Sequence, residues 1–154
     1  TGMIQEIRKD HDTAFGRWMP HINLFFPFLS ATDVALVEAD IIAACQNTQP
    51  FQLSLPEVGS FRHGATCVHW AKPVTEPANA LKKLQTQLSS LLREFKPFLP
   101  HLTLANPAPP SLLDKIKGMW KPFSYEVTHI AYIRRTGEGP FQVVTTYALG
   151  NQSQ

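Results

Sequence analysis

The sequence carries little net charge and few cysteines. Its 154 residues include 14 lysines and arginines against 12 aspartates and glutamates, which gives a formal net charge of +2. This balance excludes the basic surface expected of a long-duplex binder, although a small or single-stranded ligand stays open. Cys45 and Cys67 stand apart, without Cys-x-x-Cys spacing. We therefore expect two buried, reduced thiols, as in a cytoplasmic or nuclear protein.

Long apolar runs are also missing from the sequence. No uninterrupted apolar stretch approaches the roughly 18–20 residues that cross a bilayer, and the first residues show no secretory pattern. We therefore expect no membrane partner. A hydrophobic content of 44% is ordinary for a globular chain. The length predicts one domain over residues 1–154, acting as a monomer. Whether a further strand precedes Thr1 stays open at this point.

An eight-residue pattern occurs twice. The first octad, residues 20–27, reads PHINLFFP, and the second octad, residues 100–107, reads PHLTLANP. Each begins and ends with proline and has histidine second, a small hydrogen-bonding residue fourth and leucine fifth. If each octad is a short strand, its second and fourth residues point to the same face. These same-face pairs are His21 with Asn23, and His101 with Thr103.

The elements around the octads repeat as well. Hydrophobic periodicity predicts helices over residues 4–18, 34–46, 77–95 and 111–118. Capping boxes at residues 30–33 and 111–114, which begin with Ser30 and Ser111, open the second and the fourth of them. Alternation predicts strands over residues 51–57, 65–71, 123–135 and 141–149. With the octads as strands, the order helix–strand–helix–strand–strand occurs twice. We expect an α+β fold of two pseudo-symmetric lobes, with antiparallel sheets around a central cleft that one octad from each lobe lines.

This duplicated arrangement, with histidines 80 positions apart, resembles the 2H phosphoesterase superfamily and its 2′-5′ RNA ligase-like members. The resemblance implies that His21 and His101 are catalytic and that Thr103 is the hydroxyl residue of the second motif. Asn23 departs from the family pattern, which has Thr or Ser there, although an amide NH₂ still donates to a phosphate oxygen. The implied partner is a nucleotide, an RNA 3′-end or an oligonucleotide.

The chemistry expected of such a site is phosphodiester hydrolysis. A 2′,3′-cyclic phosphate or a 2′,5′-linked oligonucleotide needs a base to activate water and an acid to protonate the leaving oxygen. Histidine suits both roles because its ordinary pKa lies near ~6.5. We expect His21 as the acid and His101 as the base, while Thr103 and Asn23 donate to the non-bridging oxygens. The scheme requires no metal and no cofactor.

Further side chains are candidates for substrate binding, with a structural interpretation beside each. The rings of Tyr132 and Phe61 can stack on a nucleobase, but core packing competes with that role. Arg134 ends a strand, and Arg62 lies with Phe61 on a turn predicted between Gly59 and Gly64.

Three other possibilities stay open. His63, Cys67 and His69 are metal-ligand types, although their spacing matches no compact zinc motif. Asn23 favours an alternative in which the protein is a nucleotide- or RNA-end-binding module with little turnover. A third interpretation makes the octads two core strands whose histidines are buried and far apart.

Overall fold

The computed structural model describes residues 2–93, 95 and 97–150. Within this part of the chain, the helices are α1 (Gly2–His11), α2 (Ala31–Gln46), α3 (Ala80–Leu92) and α4 (Leu112–Met119). The strands are β1 (Phe51–His63), β2 (Thr66–Glu76), β3 (Leu102–Ala108), β4 (Ser124–Val127), β5 (His129–Arg134) and β6 (Gln142–Ala148).

The strands form two antiparallel sheets. One sheet has four strands in the order β3-β2-β1-β4, and the other pairs β5 with β6. Buried side chains of α2, α3 and β1 belong to one hydrophobic core, as Ile41, Leu84 and Leu55 illustrate. The α+β class with antiparallel sheets is therefore confirmed.

Helix α2 begins where its capping signal predicts. The Ser30 hydroxyl accepts a hydrogen bond from the Asp33 amide at 3.2 Å, and Val34 and Cys45 are buried. Burial raises the pKa of the Cys45 thiol to about 11. The matching cap predicted at Ser111 is wrong. Its backbone is already helical, at φ −65° and ψ −22°, whereas a side-chain cap needs an extended residue.

The first predicted helix is too long, because α1 ends at His11 rather than continuing to Trp18. The Ala14 amide donates to the Asp12 carboxylate at 3.0 Å, and the Thr13 amide donates to the Asn106 carbonyl at 3.0 Å. Both amides would otherwise continue the helical hydrogen-bond series. Such local side-chain acceptors compete with helix propagation.

The two octads differ in structure. Most of the second octad lies in β3, which pairs with β2. The first octad was expected to be a strand, but its only strand-type pairing within the described residues is one antiparallel bridge between Ile22 and Leu102. A single bridge holds the backbone extended less strongly than the pairing with β2 that holds β3 in its sheet. The prediction of a first strand is therefore wrong, although the two octads do lie side by side.

The turn predicted at residues 59–64 is also wrong, because β1 continues to His63. The chain reverses at Gly64, whose φ of 59° favours glycine. Gly59 is a strand residue whose missing side chain leaves room for Trp70, because a Cβ there would lie 2.8 Å from the Trp70 ring. Phe61 and Arg62 are consequently strand residues and not turn residues.

The strand predicted over residues 123–135 is divided between the two sheets. β4 pairs with β1, with Val127 opposite Phe51, and β5 pairs with β6, with His129 opposite Ala148. Thr128 lies between them, and its carbonyl accepts a hydrogen bond from the Leu149 amide at 2.8 Å. This single run of chain therefore connects the two sheets.

Candidate active site

The bridge between Ile22 and Leu102 brings the two motifs together. In an antiparallel pair the flanking residues also lie opposite each other, so His21 lies beside Thr103 and Asn23 beside His101. His21 and His101 are then diagonal neighbours, which are about 7–8 Å apart in a regular pair. Both histidines are only partly buried. This arrangement contradicts the interpretation with buried, distant histidines.

The two imidazoles are held in the same way. His21 Nδ1 lies 2.7 Å from the Met19 carbonyl, and His101 Nδ1 lies 2.7 Å from the Leu99 carbonyl. A carbonyl oxygen only accepts, so Nδ1 carries the proton and donates it in each bond. Nε2 of each neutral ring therefore keeps its lone pair. Within the described residues no protein group hydrogen-bonds either Nε2.

The proline at the start of each octad helps to explain why His21 and His101 make the same Nδ1 hydrogen bond. Each accepting carbonyl belongs to the residue immediately before Pro20 or Pro100. A residue before proline favours extended backbone, and proline itself fixes φ. The same local constraint therefore precedes both histidines, which is consistent with a carbonyl two residues upstream reaching each ring.

Aromatic rings flank His21. Trp18 stacks on its imidazole with 4.3 Å between centroids, and Phe141 stacks on Trp18 at 3.7 Å. The Arg135 guanidinium lies over Phe141, 5.5 Å from the ring centroid. Neither Trp18 nor Phe141 was singled out from the sequence as a site residue, and of Arg134 and Arg135 at most one was expected to enter the cleft. Their contacts depend on a loop and a hairpin that are far apart in the chain.

Burial is the main cause that lowers the pKa of His21 below its ordinary value of 6.5. The hydrogen bond to the Met19 carbonyl opposes this shift, Arg8 adds to the lowering and Asp12 opposes it. A positive charge on His101 lowers the pKa of His21 further. The two imidazoles are therefore within electrostatic reach of each other, and His21 favours its neutral form near pH 7.

His101 also has two aromatic neighbours. The Phe61 ring meets it edge-on with 5.3 Å between centroids, and Trp70 lies at 6.3 Å. Trp70 is paired with Gly59 on β1 and with Thr103 on β3. These side chains consequently share one face of the four-stranded sheet. The Trp70 indole N–H is buried and has no hydrogen-bond partner among the described residues.

The other residues predicted to bind substrate do not all lie on the same side of the sheet as the histidines. Phe61 is at the site, whereas Arg62, its neighbour on the strand, points to the opposite face. Arg134 lines the same groove as His21. Tyr132 packs edge-on against Phe28 at 6.1 Å. Tyr132 also lines the groove that His21 and Arg134 line.

Asn23 and Thr103 have side chains available to a ligand. Asn23 is exposed and Thr103 is half-buried. In the part of the chain that the structure describes, neither side chain makes a hydrogen bond to protein. Both residues lie next to a histidine on the bridged octads, so each can donate to a group held between the imidazoles.

The family comparison agrees with this geometry. Residues 1–139 match the family model of the 2′-5′ RNA ligase superfamily. The chain belongs to this superfamily. The resemblance to 2H phosphoesterases is thereby confirmed, and membership supports phosphodiesterase-type activity.

Solved structures share the fold of this superfamily member. TT0787 of Thermus thermophilus matches with a TM-score of 0.65 and 20% identity over 99% of this chain and 92% of its own. LigT of E. coli complexed with 3′-AMP gives 0.60 and 20%, over 97% of this chain and 92% of LigT. The ATP complex of LigT gives 0.63 and 19%, over 98% and 93%. No curated protein sequence matches the chain. None of the described helices has the length and apolar character of a membrane span.

A buried ion pair supports the segment next to the first octad in this superfamily member. Arg8 Nε lies 3.1 Å from Asp12 Oδ2, and Arg8 also donates to the Trp18 carbonyl at 2.7 Å and to Gln5 Oε1 at 2.9 Å. Arg8 thereby fixes the segment that carries the ring stacked on His21. The sequence contained a signal for this role, because Ile4, Arg8 and Asp12 follow one another at helical i+4 steps.

The same helix end also contacts the second octad. Asp12 forms a parallel bridge with Asn106, and the Thr13 amide and hydroxyl each donate to the Asn106 carbonyl at 3.0 Å. The end of α1 therefore holds both octads, one through Arg8 and the other through Asp12 and Thr13.

His69 is a buried histidine that hydrogen bonds hold in the fold. The Ser60 hydroxyl donates to His69 Nδ1 at 3.0 Å, and His69 Nε2–H donates to the Pro109 carbonyl at 2.9 Å. Both ring nitrogens of this fully buried residue are therefore occupied. His69 is consequently unsuited to the zinc set with His63 and Cys67, and no metal-ligand group of three occurs in the described ranges.

Proposed function

We propose that this protein is a metal-independent phosphodiesterase that hydrolyses 2′,3′-cyclic phosphates or 2′,5′-linked oligonucleotides. The observation that carries the proposal is the matched pair of Nδ1 hydrogen bonds at His21 and His101. Each bond leaves Nε2 as the reactive nitrogen, and the bridge between Ile22 and Leu102 supports a pair of rings that act on one phosphate. This is the arrangement that in-line displacement at phosphorus requires.

The direction of the His21 pKa shift reverses the roles expected from the sequence. Burial favours neutral His21, which makes it the better candidate for the base, with His101 as the acid. Charge on one ring also disfavours charge on the other, so the pair favours a single shared proton.

In the proposed reaction, His21 Nε2 takes a proton from water as the water oxygen forms a bond to phosphorus. The bond from phosphorus to the leaving ribose oxygen breaks, and that oxygen receives the proton of His101 Nε2. The pair retains one proton throughout, because one is gained as the other is given. Thr103 and Asn23 donate to the non-bridging oxygens as their negative charge increases.

The rings beside the histidines support a nucleotide substrate. Trp18 stacks on His21 and Phe141 stacks on Trp18, while Phe61 and Trp70 lie beside His101. Aromatic rings are therefore present near both histidines to stack on a base bound beside the phosphate. Arg134 supplies a cation on the His21 side of the site. The crystallisation of LigT with 3′-AMP and with ATP favours the same ligand class.

The test is an assay in EDTA on a panel of 2′,3′-cyclic nucleotides and 2′,5′-oligoadenylates. We expect turnover that His21→Ala or His101→Ala each abolishes. The exposed His63 lies on a strand end outside this site, so His63→Ala is the matched control and should retain turnover. Loss of turnover on chelation, restored by a metal, would contradict the scheme.

The departure at Asn23 favours one alternative, a nucleotide- or RNA-end-binding module with little turnover. That function predicts binding of the same nucleotides without product formation. Calorimetric titration of wild type and His21→Ala with a non-hydrolysable analogue, alongside the turnover assay, distinguishes the two functions.

A further inference from the structure

One row of side chains crosses the four-stranded sheet beside His101. The register between β1 and β2 places Glu57 opposite Lys72. The register between β2 and β3 places Ala71 opposite Leu102. One residue further along β2 and one residue back along β3, Lys72 lies opposite His101. Directly opposite residues of a regular antiparallel pair have Cβ atoms about 4.5–5.5 Å apart. Lys72 is therefore an immediate cross-strand neighbour of a catalytic candidate.

Lys72 points to the same face of the sheet as the histidine site. Along β2, Ala71 is buried in the core, so the residues on either side of it, Trp70 and Lys72, project from the opposite face. The Trp70 ring lies on that face, 6.3 Å from the His101 ring. The Lys72 ammonium is thus a cation at the site that the proposed reaction does not use.

Glu57 holds this cation only loosely. Lys72 Nζ lies 3.8 Å from Glu57 Oε1, and the two side chains are 55% and 66% exposed. An ion pair with this exposure contributes little to stability. A lysine ammonium also carries three donors on a flexible stem. Lys72 can therefore leave Glu57 for a phosphate oxygen at a small cost in free energy.

The position of Lys72 favours a phosphate other than the reacting one. Leu102 is bridged to Ile22 of the first octad on one side and is paired with Ala71 of β2 on the other. The first octad and Lys72 therefore lie on opposite sides of His101. In the proposed reaction the phosphate is held between the octads, and Lys72 lies beyond His101. Because His101 is the proposed acid, the ribose that carries the leaving oxygen lies on that same side.

We propose that Lys72 binds a second phosphate of the substrate, attached to the ribose that carries the leaving oxygen. The ligand class is a nucleotide with a further phosphate, which is either a terminal monoester or the next diester of a chain. The Glu57 carboxylate competes for the ammonium and repels the phosphate, so it limits the preference for such ligands. This inference rests on the proposed function for the position of the ribose.

The test compares three substrates in EDTA. They are adenosine 2′,3′-cyclic phosphate, the same nucleotide with a 5′-phosphate monoester, and a dinucleotide in which that 5′ position carries a diester. We expect the second phosphate to raise kcat/KM about fivefold, which is the upper effect of an exposed ion pair. An increase with the monoester alone assigns Lys72 to a terminal phosphate, and an increase with the diester assigns it to a chain.

Variants of the row test whether Lys72 causes this preference. Lys72→Gln should bring the ratio of the kcat/KM values, with and without the second phosphate, close to one. Glu57→Gln removes the competing carboxylate and should raise the ratio above the wild-type value. Lys82→Gln is the matched control, because this exposed lysine lies on α3 and not on the sheet. It should keep the wild-type ratio.

Binding measurements keep the test independent of catalysis. Calorimetric titration with adenosine 3′-phosphate and with adenosine 3′,5′-bisphosphate measures the same preference without turnover. For the bisphosphate, the slope of log affinity against log salt concentration should decrease in magnitude by about one in Lys72→Gln. If no substrate is turned over but Lys72→Gln removes the binding preference, the second phosphate contact is supported and the proposed catalysis fails.

Three results would overturn the role of Lys72 even if the proposed catalysis is correct. The first is turnover with the same ratio in wild type and Lys72→Gln. The second is an equal loss of the ratio in Lys82→Gln, which assigns the effect to the overall charge of the protein. The third is a change in the same direction in Lys72→Gln and Glu57→Gln, which is the result expected if the ion pair only supports the sheet.

Discussion

Arg8 and Asp12 form an ion pair of 3.1 Å in the interior, and the two residues are only 1% and 6% exposed. Arg8 holds the Trp18 carbonyl beside the first octad, while the backbone at Asp12 is bridged to Asn106 in the second. Asp12 and Arg8 also have opposing effects on the pKa of His21. One buried pair therefore influences the position of both motifs and the charge of one catalytic candidate.

Replacing Arg8 by Met should be strongly destabilising. The variant leaves the Asp12 carboxylate buried without its cation, which typically costs about 3–5 kcal/mol. Chemical denaturation should show this loss in the free energy of unfolding. The matched variant Arg8→Met with Asp12→Leu removes both charges and should recover most of it. Equal stability of wild type and Arg8→Met would contradict a structural role for the pair.

The pH dependence of kcat/KM should reflect the buried environment of His21. Its pKa lies below 6.5, so the base becomes neutral, and the rate rises, at a pH below the ordinary histidine value. Trp18→Leu removes the ring that shields the imidazole, and the pKa should move up towards 6.5. The rising limb should then move to higher pH. NMR titration of His21 gives an independent measurement.

Phe61→Leu is the control for this shift, because it removes a ring beside His101 rather than beside His21. Its rising limb should stay at the wild-type position. If Phe61→Leu and Trp18→Leu move the limb equally, the limb does not report the burial of His21.

The pairing of the two motifs could be predicted from sequence because each octad carries its own signal of histidine, hydrogen-bonding residue and proline. The assignment of acid and base could not, since it depends on how deeply each ring is buried. Trp18 covers His21 and is itself stacked on Phe141, and these two residues meet only in the folded protein. That the first octad is not a strand was also unpredictable, because strand formation depends on neighbours and not on the pattern of the octad itself.

Gly59 provides a test of the platform beneath His101. In Gly59→Ala the new methyl would lie 2.8 Å from the Trp70 ring, so the indole must move or the strand must shift. We expect a loss of about 1–3 kcal/mol in the free energy of unfolding. Gly118→Ala is the control, because nothing lies within 4 Å of its added Cβ. That helical change should be neutral or stabilising by up to about 1 kcal/mol.

Asn23 and Thr103 test whether both octads contribute a donor to the phosphate. The Asn23 amide is exposed, and no protein group among the described residues holds it, so its carbonyl oxygen can turn towards the phosphate and repel it. A hydroxyl has no such unfavourable orientation, and Asn23→Thr should therefore raise kcat. Asn23→Ala should lower kcat by up to about two orders of magnitude, and Thr103→Ala should cause a similar loss, because each removes one donor to the developing charge.

Steady-state kinetics on one cyclic nucleotide shows whether both octads, or only the second, donate to the phosphate. Loss of a transition-state donor lowers kcat and leaves KM nearly unchanged, whereas a change in general binding raises KM. If Thr103→Ala abolishes turnover while both Asn23 variants behave as wild type, the first octad contributes only His21. The phosphate oxygens would then be bound from the second octad alone, and the two lobes would be functionally unequal despite their matched histidines.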